Sequence, residues 1–153
     1  MLKISALINE DLMITDLSAG HKEKCLTDMI ALLKADGRIE DEAVFLETVM
    51  EREAVGPTGI GMQVAIPHGK SHTVKRPALV FAKSKDGVDF NAPDGSLASL
   101  IFLIAVPDTT DDLHLKILAK LARSLMHEEF RSRLLTCKDK RQLFIILEEG
   151  VSL

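Results

Sequence analysis

A chain of 153 residues, 46% hydrophobic and 27% charged, is sized for one folded domain with its own core. Its net charge of −4 lacks the basic surplus that general nucleic-acid binding needs, and without Trp or Tyr any base-stacking platform would rest on Phe alone. No apolar run reaches membrane-spanning length and the start, with Lys3, Glu10 and Asp11, has no cleavable signal pattern, so a cytoplasmic protein is expected.

In chain order, Leu12–Ile14 is a candidate short strand, and Ser18-Ala-Gly is a break. Between His21 and Asp36, Cys25, Met29, Ile30 and Leu33 recur at helical spacing, and Gly37 suits a helix stop. A second helix is expected over Asp41–Ala54, with Val44, Phe45, Thr48 and Val49 as its apolar stripe and Gly56 as its end. Arg52 falls in its last turn. There a cation suits the helix dipole, and a guanidinium could also reach over the next loop to hold an anion.

Gly56–Gly61 contains three glycines and a proline and reads as a loop. Val64, Ala65 and Ile66 fit a short buried strand that Pro67 ends, with His68 standing just past it. Ala78–Ala82 reads as a buried strand, Asp86-Gly87 as a turn, and Val88–Phe90 as a further short strand. Leu97–Val106 is the strongest strand; its unbroken apolar run implies cover on both faces. Acidic residues and a Thr109/Asp112 capping-box pattern predict a helix opening over 108–112, with Leu118, Leu121 and Leu125 inward and His114 on the same stripe, aimed toward the strand ends. Helices over Glu128–Leu135 and Asp139–Glu149 complete the chain, the last with Leu143, Ile146 and Leu147 inward. The expected fold class is α/β: a single domain over 1–153, a mixed β-sheet with helices on both faces.

Several chemistries fail on spacing. A Walker loop would need glycine where Val64 stands, and Gly59-Ile-Gly61 lacks the third glycine of a dinucleotide fingerprint. No serine nucleophile elbow is present. His68 and His72 stand four apart but on no convincing helix, and Cys25 and Cys137 form no metal-type pair, so no metal is expected and buried inert thiols are the default. What remains is two histidines, an arginine and a glycine-rich loop. A neutral imidazole is a competent nucleophile toward phosphorus, and phosphoryl transfer needs placement and charge neutralisation above all. Backbone amides of Gly59–Gly61, or the amide end of the helix opening near Asp111, could hold phosphate oxygens, and a second imidazole could donate to them.

Thr58-Gly-Ile-Gly61 followed by Val64-Ala-Ile-Pro-His68-Gly69 closely resembles the phosphohistidine signature of the fructose/mannitol-type (type 2) EIIA domain of the bacterial sugar phosphotransferase system. Glu53 stands where that signature opens with an acidic residue. Arg52 matches the family's active-site arginine, and His114, in Asp111-Asp-Leu-His-Leu-Lys, its second active-site histidine. Gly87-Val-Asp-Phe and Leu100-Ile-Phe-Leu-Ile-Ala-Val-Pro look like the fructose branch. Met62 departs from relatives that carry an acidic or polar residue there, and is either an apolar docking rim or a loop anchor.

The resemblance implies a phosphocarrier. His68 would accept a phosphoryl group from phospho-HPr and pass it to a cysteine of an EIIB partner, serving a membrane EIIC transporter indirectly. His114 and Arg52 would assist, Thr58, Gly59, Ile60 and Gly61 would form a phosphate-binding loop, and Glu53 would support it. No metal or organic cofactor is implied. Neither cysteine sits in a phosphate-cradling loop, so the EIIB function would lie elsewhere, and Met1 and the ending at Leu153 suggest a free subunit. The competing expectation is a nitrogen-regulatory EIIA whose phosphorylation state controls binding to other proteins; a third is an interaction module that is never phosphorylated.

Overall fold

The computed structural model describes residues 2–152; the two chain ends, Met1 and Leu153, lie outside the described residues. Six strands form one mixed sheet: β1 (Met13–Ile14), β2 (Gly59–Gly61), β3 (Val64–Ala65), β4 (His68–Ser71), β5 (Ala78–Val88) and β6 (Ala98–Pro107). The order is β1-β5-β6-β3-β2, with β4 also on β6. β6 pairs antiparallel with β5, and its other edge takes β3 at Leu100–Ile101 and β4 at Ile104–Pro107, both parallel. The unbroken apolar run of β6 is thus paired on both edges, and Phe102 stacks on Phe81 of β5 with ring centres 4.9 Å apart.

Six helices flank the sheet: α1 (Ile4–Leu7), α2 (Lys22–Ala35), α3 (Glu42–Val55), α4 (Leu113–Leu125), α5 (Glu128–Thr136) and α6 (Lys140–Gly150). The periodicity of α2 buries Cys25, Met29, Ile30 and Leu33 as expected. Burial, and secondarily the Asp28 carboxylate, push the Cys25 thiol up to about 12, which leaves it unreactive. Asp41 caps α3 through Val44 N–H at 3.1 Å. Of its expected stripe, Phe45 and Val49 are buried while Val44 and Thr48 are half-buried. Arg38, almost fully buried, donates to the carbonyls of Ala6 and Pro77 and to Asp36, tying the short α1 to the start of β5. No described helix is long and apolar enough to cross a membrane.

Five local expectations are corrected. The glycine loop ends in strand β2, which hairpins onto β3 through Met62 and Gln63, both with positive φ (58° and 64°). That twist suits a two-residue hairpin but costs non-glycine residues. It is held by Asp94 and Ser96 accepting their two N–H groups at 2.9 and 3.2 Å. Pro67 interrupts the strand region without ending it: His68 is the first residue of β4. Asp86-Gly87 is an irregularity inside the long β5 and makes no hairpin, and 89–90 is not strand. The helix after β6 starts at Leu113, with no side-chain cap from Asp112; Thr110 donates instead to the Pro107 carbonyl. Cys137 lies past the end of α5, half-buried and outside any helix.

Candidate functional site

Strand alternation sets the site. On β4, the Cα–Cβ direction of Gly69 aims at α3: an added Cβ would stand 2.9 Å from Phe45 and 3.1 Å from Val49. Glycine therefore lets α3 press against the strand. His68 and Lys70 project to the opposite face, where α4 brings His114. The two imidazole rings lie 5.9 Å apart, tilted by 34°. Thr48 and Arg52 close the space from α3, and Leu115 and Leu118 from α4, giving an open cleft of about 260 Å³. Helices thus cover both faces of the sheet.

His68 is 6% exposed, and its Nδ1 lies 3.1 Å from the Ile66 carbonyl oxygen. A carbonyl only accepts, so Nδ1 carries the proton and Nε2 the free lone pair. Burial pulls the His68 pKa below the ordinary imidazole value; the Ile66 bond opposes this, Arg52 adds to it, and Glu53 opposes it. His114 is lowered as well, by burial first, then by His68 and Lys70, against Asp112. Both rings are therefore neutral at neutral pH. Among the described residues, His114 Nδ1 is buried with no hydrogen-bond partner.

Arg52 holds its position by donating through Nη1 to the Gly56 carbonyl at 2.8 Å. That bond uses one of five guanidinium donors, so Arg52 serves the helix end and the cleft together. Lys70 Nζ donates to the Asp111 carbonyl at 2.9 Å, linking β4 to the approach to α4. The cleft thus joins two cations to two neutral imidazoles. That combination can hold a tetrahedral anion and offer it a nucleophilic nitrogen.

Thr58, Gly59, Ile60 and Gly61 do not line this cleft. Gly59 packs on the backbone of Phe90, and Gly61 faces the Asp94 carboxylate, a poor neighbour for phosphate. Their place is behind the site. The nearly buried Glu53 accepts from the Thr58 hydroxyl and, at 3.4 Å, from the Thr58 N–H, and pairs with Lys22 at 3.3 Å. Thr58 O in turn accepts from Ile66 N–H at 3.0 Å. A continuous set of bonds therefore runs from Lys22 through Glu53, Thr58 and Ile66 to the His68 ring. The structure brings Arg52, His68 and His114 together, puts Glu53 in support and leaves the loop out. Sequence reasoning missed Lys70 and gave Thr48 only to the helix stripe. Lys70 was legible as the residue two after His68 on a strand, had β4 been recognised. No group of three His, Cys, Asp or Glu side chains among the described residues is placed to hold a metal ion.

Comparison with known proteins agrees with this geometry. Residues 6–150 match the family model described as "Phosphoenolpyruvate-dependent sugar phosphotransferase system, EIIA 2". The chain is 36% identical over 148 residues to a "PTS system fructose-specific EIIA component" of Haloferax volcanii, covering 97% of this chain and 96% of that one. It is 34% identical over 148 residues to a "PTS system fructose-specific EIIABC component" of Bacillus subtilis, covering 97% of this chain but only 23% of that longer protein. Among solved structures, the nitrogen regulatory protein IIA-Ntr of Neisseria meningitidis superposes with a TM-score of 0.88 at 32% identity, over 94% of this chain and 98% of that one. By family model, identity and fold together, the chain belongs to the EIIA type-2 family of the phosphoenolpyruvate-dependent sugar phosphotransferase system.

Proposed function

We propose that the protein is a phosphocarrier that takes a phosphoryl group from phospho-HPr on Nε2 of His68 and delivers it to a cysteine of an EIIB partner. The observation that carries this reading is the Nδ1–H to Ile66 carbonyl bond at 3.1 Å, which leaves Nε2 as the basic nitrogen of the ring. Nε2 attacks phosphorus while the donor's P–N bond breaks, its electron pair staying on the donor nitrogen. The His68 ring then holds both the new N–P bond and its Nδ1 proton, and the Ile66 carbonyl stabilises this imidazolium. In the second step a cysteine thiolate attacks phosphorus, and Nε2 leaves with its electron pair, neutral again. Arg52 and Lys70 neutralise the phosphoryl oxygens, and His114 donates a ring N–H to one of them.

The fructose-specific relative in Haloferax volcanii supports uptake of fructose or a related sugar as the pathway served, through a membrane EIIC that this chain reaches only by way of EIIB. The nitrogen-regulatory likeness supports a second reading, in which the phosphorylation state controls binding to other proteins. Radiolabelled phosphoryl transfer from phospho-HPr, with the labelled residue mapped, tests the carrier; label absent from His68 refutes it. Adding a panel of EIIB domains separates the two readings, since a carrier discharges onto at least one and a regulator onto none.

A further inference from the structure

At the far end of the β5–β6 ladder from His68 lies a cavity of about 590 Å³, larger than the His68 cleft. His68 is level with Ile104 on β6, whereas Lys83 is level with Leu100. The two sites are therefore separated by about 13 Å along the strands alone. Three lysines line the cavity, Lys83, Lys85 and Lys138, against one carboxylate, the exposed Asp16. Lys83 is the unusual one. It is 9% exposed, and among the described residues no carboxylate stands within ion-pair distance of it. Its ammonium donates to the Cys137 carbonyl, which uses one of three N–H groups.

A partly buried ammonium without a carboxylate partner is disfavoured, and desolvation together with the neighbouring Lys138 holds Lys83 below the ordinary lysine range, the Cys137 side opposing. An anion seated between Lys83 and Lys138 would relieve both effects. The rest of the lining decides what kind of anion. Thr15 and Ser99 also line the cavity, so a polar body suits the remaining space; the Ser84 hydroxyl is taken up by the Gly87 N–H. No aromatic side chain lines the cavity, so it offers no stacking surface for a base. The volume exceeds what a phosphate ion fills and falls in the range of small-molecule sites.

We propose that this cavity is a second anion site, distinct from the His68 cleft, that binds a small phosphorylated polyol or sugar by its phosphomonoester between Lys83 and Lys138. The test is an NMR titration of the ¹⁵N-labelled full chain carrying His68→Ala, with glucose 6-phosphate as probe at constant ionic strength and with glucose and sodium sulfate as comparators. The expected result is saturable shifts at Thr15, Ser84, Ser99 and Lys138. Glucose should produce none of them, and sulfate only weaker ones. Affinity should fall about tenfold or more in Lys138→Glu and in Lys83→Gln. Lys138 is exposed, so its variant keeps the fold and decides the matter alone should Lys83→Gln unfold. Shifts only around Arg52 and His114, no saturation by about 10 mM, or unchanged affinity in Lys138→Glu overturns the proposal.

Discussion

The two walls of the His68 cleft are built differently. The β4 wall is fixed: His68 is buried, its ring is bonded to Ile66, and Ile66 is braced through Thr58 and Glu53 to Lys22 on α2. The α4 wall is looser: its helix starts without a side-chain cap, and His114 is half-buried, its Nδ1 without a hydrogen-bond partner among the described residues. A group that must present one nitrogen in line needs a locked tautomer and orientation. A group that only follows charge as it moves between partners gains from freedom. On the proposed function, this asymmetry suits the strand histidine to the acceptor role and the helix histidine to the assisting one.

The largest effect that tests this contrast comes from exchanging the histidines. His68→Ala should abolish phosphoryl labelling from phospho-HPr, whereas His114→Ala should slow transfer and leave His68 labelled. Label that survives the first change and vanishes in the second would invert the assignment. Arg52→Ala removes the guanidinium that α3 brings to the cleft, and should weaken retention of the phosphoryl group by about 1.5–3 kcal/mol. This is read from the equilibrium between phospho-HPr and the labelled protein; an unmoved equilibrium would reduce Arg52 to the partner of the Gly56 carbonyl.

Loosening the fixed wall should show first in stability. Glu53→Ala leaves the Thr58 hydroxyl and amide without their acceptor, and should cost about 1–3 kcal/mol in denaturant unfolding while His68 remains labelled. No loss would mean that the bonds behind the site carry no load.

The smallest effect is electrostatic. Both histidine pKa values are lowered by burial from the usual 6.5, so the unfolded chain takes up these protons before the folded one. Their contribution to stability is therefore full above about pH 6.5 and is lost as pH falls through the folded values. In NMR titrations Lys70→Gln should raise the His114 midpoint, because a nearby cation is removed. It should leave His68, set by burial, Ile66, Arg52 and Glu53, almost unmoved. Equal movement of both midpoints would show that the walls are not electrostatically separate.

Much of this protein was legible in sequence. The stripes of α2 and α6, the apolar run of β6, and the residues Arg52, His68 and His114 were all readable, the histidines and arginine through a long and specific motif. The misreadings share one cause. β2 and β4 are three and four residues long and hold glycine, proline-flanked or polar residues, so nothing local marks them as strands; they exist because β3 and β6 supply the missing hydrogen bonds. The Asp86-Gly87 turn signal survives only as a bulge: the β5–β6 register shifts between Lys83 and Val88, and Gly87 takes a positive φ of 83°.

Helical periodicity and the choice of Arg52, His68 and His114 as residues that meet at one cleft were thus legible in the chain alone, because both are properties of neighbouring or motif-spaced residues. Which imidazole nitrogen is free, that Lys70 joins Arg52 at the cleft, that Thr58 braces the site from behind, and that Lys83 has no carboxylate partner among the described residues were decided only on folding. Each depends on groups far apart in sequence whose distances no local pattern sets.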